Sequence, residues 1–417
     1  MGETFLKFSP FRVRNYRFQW PADLLTSWAF EMETLILGWY ILVETGSVLL
    51  LSLFAALYFV GTLVAPVLGV VGDRIGHRDL LAGMRMVYMA LAATLTLLIF
   101  TGNLTPLYVF IIAGIMGLVR PSDLGVRGAL VATIMPHDQL IGALSISRTT
   151  MDTARMAGAL SGAGIFALLG MGPAYIAIFT IYTASTLLTL CIVAPAKPHP
   201  ASEMASDLLR QSPLRDLKEG IAYVWNSPRM QASIWVAFLV NLTAYPLSGG
   251  LLPYIAREVY GANETGLGYL SASFAAGSLA GSVGLGLVGG VRVARLMIAA
   301  TLLWYVMLLV FAQVQTVPTA IACLVVAGFA QSLAMISLAV ILMRTASEHL
   351  RGRVMGVRMM AIYSLPLGLL MAGNLIGQIG FTTTATLYAA SGLTLLLFIV
   401  LRWRSELWHV HAPANVK

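Results

Sequence analysis

Charge is what this sequence has least of. Only 11% of its 417 residues are Asp, Glu, Lys or Arg, against roughly a quarter in an ordinary soluble domain. With 58% of the residues hydrophobic, that shortage argues against a water-soluble enzyme and for a polytopic membrane protein. Cysteine is nearly absent: Cys191 and Cys323 are the only two, both inside apolar runs. They read as packing residues rather than a disulfide or a metal pair. The six histidines are scattered without metal-ligand spacing, so neither a metal nor another cofactor is expected. No G-x-x-x-x-G-K-[ST] run occurs, so ATP is not the expected energy source. An apolar run followed by a cleavage site is missing at the N-terminus, and no signal peptide is expected.

What is there is a succession of long apolar runs. Cut at Gly, Pro and charged clusters, they give twelve spans of about 20 residues or more, the length a bilayer requires. The expected architecture is an all-α membrane protein. An amphipathic lead-in covers 1–17, a first six-helix bundle 18–195, and a linker with a surface helix 196–229. A second six-helix bundle covers 230–401 and a tail 402–417. In the lead-in, Phe5, Leu6, Phe8 and Phe11 can lie on membrane lipid while Lys7, Arg12, Arg14 and Arg17 stay among the headgroups.

Basic residues are distributed unevenly. One set of connections holds Arg74, Arg78, Lys197, Arg210, Arg215, Lys218, Arg292, Arg295, Arg351 and Arg353, and the opposite set only Arg257. That bias places both termini and the linker in the cytoplasm. It also accounts for the net charge of +8 without a nucleic-acid partner. The two halves repeat: a shift of 210 aligns Leu140 with Leu350, Gly142 with Gly352, Arg148 with Arg358, Gly158 with Gly368 and Gly170 with Gly380. Two like-oriented halves of six spans are a transporter architecture, with a site expected near the midplane at their interface.

After the second span comes "GVVGDRIGHR", with Gly69, Asp73, Arg74, Gly76, His77 and Arg78. A glycine here permits close helix approach, an aspartate can cap a helix N-terminus, and the basic residues hold the loop at the cytoplasmic face. This stretch resembles the loop signature G-x-x-x-D-R-x-G-R-R of the major facilitator superfamily, with His77 where Arg is usual. The resemblance implies a gate that latches one conformation. "FRVRNYRFQW", "LGWYILVETGS", "ARMAGALSGAG" and "HLRGRVMGV" are similar to the branch of enterobactin exporters and macrolide-efflux proteins. "GALSGAG", holding Gly158 and Gly162, resembles the fifth-span antiporter signature G-P-x-x-G-G, with Ala159 in place of proline. "GLVGGVRVARL" looks like a degraded copy of the first motif, with Gly290 where Asp would stand.

The few charges inside the spans carry the functional expectation. Asp23, Glu31 and Glu33 lie in span one, in a stretch with no Lys or Arg between Arg17 and Arg74. Each charge at bilayer depth costs about 2.5–3.5 kcal/mol or more, so three acids need partners, water or protons. Relative to Asp23, Glu31 and Glu33 point about 80° to either side, so the three cannot share one cavity. Glu33 is the first choice for a cavity, and Glu31 is expected to face spans four and five. Those spans carry two stripes, Arg120, Asp123, Arg127 and Arg148, Asp152, Arg155, each on one helix face. Across a hairpin near 137–138 the stripes lie level, Arg120 and Arg155 about 25 Å from the turn.

Counted over spans one, four and five, five acids face four arginines, leaving one acid that is most cheaply neutral. Proton coupling needs such a group, and Glu33, Glu31, Asp23, Asp123 and Asp152 are its candidates. The competing reading is a purely structural ladder. The resemblance assigns Arg127 and Arg155 to structure, and Arg148 completes that ladder. Arg120 can attract an anionic substrate group. Asn241, Tyr245, Gln331 and Asn374 are polar groups in otherwise apolar spans that can line a substrate cavity or join helices. Pro246, Pro253 and Pro366 are expected to bend their helices.

The expected function is proton-coupled export of a small or medium organic molecule, siderophore- or drug-like, by a monomer. The alternatives are an importer or uniporter of an organic anion, or a membrane-embedded sensor or binding protein without net transport.

Overall fold

The computed structural model describes residues 10–63, 71–72, 75–193, 213–287, 292–347 and 350–408. Among them every regular element is a helix. The first set comprises α1 (Arg14–Thr45), α2 (Val48–Leu57), α3 (His77–Phe100), α4 (Pro106–Ile134), α5 (His137–Leu169) and α6 (Met171–Leu190). Then follow α7 (Pro213–Trp225), α8 (Pro228–Thr243), α9 (Glu264–Leu287), α10 (Val293–Gln313), α11 (Val317–Thr345), α12 (Arg351–Ala361), α13 (Ser364–Ile379) and α14 (Phe381–Arg402). Among the described residues, seven stretches are long and apolar enough to cross a membrane: α3, α4, α6, α10, α11, α14 and the α12–α13 run. Helices α1 and α5 are longer still, at 32 and 33 residues, but they hold the acids and arginines singled out above.

Prolines set the breaks. Pro246 cannot donate to the Leu242 carbonyl four residues back, and α8 stops at Thr243. The freed carbonyl packs against Gly368, where a Cβ would collide with it. Pro366 likewise deprives Ile362, whose carbonyl accepts from Leu365 N at 2.9 Å instead, and the chain turns between α12 and α13. Beyond Pro253 the residues Ile255–Val259 form a π-turn. The second expected span, 47–71, is helical as α2 only to Leu57, followed by a 3-10 turn at Val60–Leu63. Residues 64–70, with Gly69, fall outside the described residues, and 71–72 are again helical. The surface helix expected in the linker is α7, which ion-pairs through Glu219 with Arg353.

The chain divides into two compact units. One comprises Met1–Ser202 with Leu252–Ala275, the other Glu203–Leu251 with Ala276–Lys417. In the first, α1 is central and packs against α2, α4, α5 and α6. Leu80, Leu81, Met84, Val126, Leu130 and Ile192 form a buried cluster beside it. The stretch Leu252–Ala275, expected with the second half, packs here. Pro253 lies 3.3 Å from where a Gly38 Cβ would stand, and Arg257 Nη1 donates to Leu42 O at 3.1 Å. In the second unit α10 packs on α11 and α14. The internal repeat is visible in the backbone: Gly170 and Gly380 take φ of 85° and 78°. Each closes one helix and starts the next, a left-handed geometry that a side chain disfavours.

Candidate functional site

The acids of α1 face three different helices. Asp23 is paired with Arg85 of α3, whose other arm donates to Thr189 of α6. Gln19, one turn earlier, donates to both carboxylate oxygens of Asp23 at 2.8 and 2.9 Å. Arg127 of α4 reaches the same carboxylate with Nε at 3.6 Å. Its Nη1 donates to Asp23 O at 3.2 Å and Ser27 Oγ at 2.9 Å. Arg127 Nη2 meets Asp123 Oδ2 at 2.6 Å, and Arg120 Nη1 approaches that oxygen at 3.4 Å from the turn before. Arg120 also stacks over the Phe30 ring at 3.8 Å, a cation–π contact that gains strength where water is excluded. A continuous buried chain therefore runs Arg85, Asp23, Arg127, Asp123, Arg120.

Glu31 turns toward α5 and pairs with Arg155, Oε1 to Nε 3.4 Å, with both side chains partly exposed. Glu33 is fully buried and its Oε2 accepts from Tyr182 of α6 at 3.0 Å. The 160° or so that separates positions 31 and 33 on a helix sends one acid to the surface of α1 that meets α5 and the other inward to α6.

Arg85 corrects the charge count made over spans one, four and five. It lies six residues into the third span, "LLAGMRMVYM", and is fully buried. With it, five arginines match the five acids, and the surplus acid disappears. With Glu33 counted beside the buried chain, Arg85, Arg120 and Arg127 stand against Asp23, Asp123 and Glu33 in equal number. The signal was available: a lone arginine in an apolar run needs a buried partner.

The second stripe is less closely defined. Asp152 is buried and Thr150 beside it accepts from Trp20 Nε1 at 2.8 Å, whereas the Arg148 side chain lies outside the described residues. Gly158 and Gly162 mark where α5 crosses α1. A Cβ at 158 would stand 2.7 Å from Glu31 Cβ and 2.8 Å from Trp28 O, and one at 162 would stand 3.0 Å from Met32 Cα. Of the loop signature, Gly69, Asp73 and Arg74 are outside the described residues. Gly76 precedes α3 with φ 99°, His77 begins that helix, and Arg78 Nη2 donates to Leu190 O at the C-terminus of α6 at 2.5 Å. A cation there complements the helix dipole.

In the second unit, Gln331 Nε2 donates to Tyr245 OH at 2.6 Å, and the Tyr245 ring meets Trp304 edge-on at 5.0 Å. Asn241 is buried and donates to Ala237 O at 2.8 Å, one turn back on its own helix. Asn374 is exposed and accepts from Gln378 at 3.4 Å.

The family model of the Major Facilitator Superfamily matches residues 20–366 and 234–415. Macrolide efflux protein A of Streptococcus pyogenes is 24% identical over 292 residues, 68% of this chain and 71% of that protein. The multidrug efflux pump Tap of Mycolicibacterium fortuitum is 24% identical over 374 residues, 87% of this chain and 88% of the pump. A solved auto-inhibited peptide transporter of the POT family superposes with a TM-score of 0.73 at 12% identity, covering 97% of this chain and 99% of that one. At that identity the likeness concerns the fold alone.

Proposed function

We propose an export function for this chain, which belongs to the Major Facilitator Superfamily, a family of membrane transporters and not of enzymes. It is a multi-pass membrane protein. In the proposal it crosses a bacterial inner membrane twelve times in two sets of six helices, with both termini cytoplasmic, and works as a monomer. It expels a small or medium organic molecule, drug-like or siderophore-like, by opening alternately to the two sides, and an inward flow of protons drives it. The efflux names of its relatives support the direction.

The observation that carries proton coupling is Glu33. It is fully buried in α1 and held by a tyrosine hydroxyl rather than an arginine ion pair among the described residues. A carboxyl so placed can exchange a proton without dismantling a salt bridge. Asp23 and Asp123 are bound by arginines and hold the helices together. Glu31 and Arg155 are the partly exposed charges that a polar substrate can reach. Arg120 is the proposed attractor for an anionic group, and Tyr245 with Gln331 offers a polar contact in the second unit.

The test is flux in proteoliposomes of a panel containing erythromycin, a catecholate siderophore and a neutral dye, with and without an imposed pH gradient. Transport of at least one compound, accelerated by the gradient, is the expected result. Flux indifferent to the gradient removes proton coupling.

A further inference from the structure

The groups facing Glu33 come from three of the helices packed on that stretch of α1. They are Tyr58 at the end of α2, Tyr175 and Tyr182 of α6, and Arg120 of α4, all within electrostatic reach of its carboxylate. Tyr88 of α3 stands behind Tyr182, ring centroids 5.7 Å apart, and is itself within electrostatic reach of Asp123, Arg120 and Arg127. Among the described residues, five oxygens in this buried cluster have no hydrogen-bond partner: Glu33 Oε1, Asp123 Oδ1, Tyr58 OH, Tyr88 OH and Tyr175 OH. Buried polar atoms left unpaired are costly, and their concentration around one acid needs a reason. Packing alone does not supply one, because phenylalanine would fill the same apolar space.

Resting on the proton-coupling reading above, we propose that Tyr182 is the positioning residue for Glu33. Together with Tyr88 it ties the state of that carboxyl to the Asp123–Arg127–Asp23–Arg85 chain. The hydroxyl hydrogen of Tyr182 is given to Glu33 Oε2 while the acid is ionised. When Glu33 takes up a proton, the new acid O–H needs an acceptor, and the Tyr182 oxygen is already in place. Its own hydrogen then turns away, toward the side where Tyr88 stands. Charge balance gives the same link: with Glu33 ionised, Arg85, Arg120 and Arg127 stand against Asp23, Asp123 and Glu33 in this cluster. Protonation leaves one positive charge in excess, and Arg120, which shares Asp123 with Arg127 and lies within electrostatic reach of Glu33, is the arginine that feels the change. Helix α4 is thereby informed of an event on α1.

Infrared titration of the protein in proteoliposomes tests this without any substrate. The Glu33 carboxyl band is identified by its absence in Glu33→Gln. In Tyr182→Phe the carboxylate loses a donor, and the midpoint of that band is expected to move to higher pH by about one to two units, from the strength of a hydrogen bond to a charged group. An unchanged midpoint overturns the proposal. Should that variant not fold, the wild type with isotope-labelled tyrosine decides: a tyrosine C–O band that shifts together with the carboxyl supports the link, and a silent one overturns it. Where wild-type flux follows the gradient but Tyr182→Phe titrates as wild type, this inference alone fails. Where wild-type flux ignores the gradient, the coupling reading fails and this falls with it.

Discussion

Replacing Arg85 by Met separates buried from exposed charge in this protein. Arg85 is fully buried, and its guanidinium serves Asp23 and Thr189 at once. Without it, Asp23, whose side chain is 12% exposed, keeps only the two Gln19 hydrogen bonds and Arg127 Nε at 3.6 Å. Breaking a buried pair by removing one partner costs about 3–5 kcal/mol, and the residual help from Arg127 puts this case near 3. Arg155→Gln is the control: its pair with Glu31 is 3.4 Å long, with side chains 38% and 25% exposed, so the expected loss is about 0–1 kcal/mol. Asp23→Asn combined with Arg85→Met removes both charges and is expected to recover more than half of the loss. Stability is read by titrating SDS into the purified protein in mild detergent. Arg85→Met no worse than Arg155→Gln, or a double variant no better than Arg85→Met, refutes the reasoning.

Two further outcomes follow from the same geometry. Gly158→Val inserts a Cβ 2.7 Å from Glu31 Cβ and 2.8 Å from the Trp28 carbonyl, and overpacking of this kind costs about 1–3 kcal/mol. Gly164→Ala, two turns along the same helix with nothing within 4 Å of its Cβ, is expected to be neutral or to stabilise by up to about 1 kcal/mol, read on the same SDS titration. Arg120→Ala is expected to impair transport of anionic analogues more than neutral ones, measured as initial rates across a matched pair, and equal loss for both counts against a role in substrate charge.

Much of this architecture is written in hydrophobic run length, which bilayer thickness makes unusually informative. Helices α3 to α6 begin and end within a few residues of the runs that announce them, because an apolar run of that length has few alternatives in a membrane. The breaks at Pro246 and Pro366 are equally local, since a missing N–H acts on a carbonyl four residues away. Partner choice is not local. The periodicity of α1 shows that Asp23, Glu31 and Glu33 diverge, but not that Asp23 meets Arg85, a residue 62 positions along the chain. Restricting the charge inventory to three spans hid that arginine and produced a surplus acid. Glu33 shows the other limit. Helical spacing gives its direction relative to its neighbours, and only the packing of α6 shows that this direction meets Tyr182. The contacts that join Leu252–Ala275 to the first unit include the bare Gly38 against Pro253 and Arg257 reaching a backbone carbonyl, neither of which has a sequence pattern.

The account stands on Glu33 carrying the proton that drives export. Its most direct test compares wild type with Glu33→Gln in proteoliposomes on two readouts, exchange of erythromycin across the membrane without a gradient and accumulation driven by a pH gradient. The prediction is that exchange survives in Glu33→Gln while accumulation is lost. Accumulation that persists at the wild-type level in Glu33→Gln contradicts it.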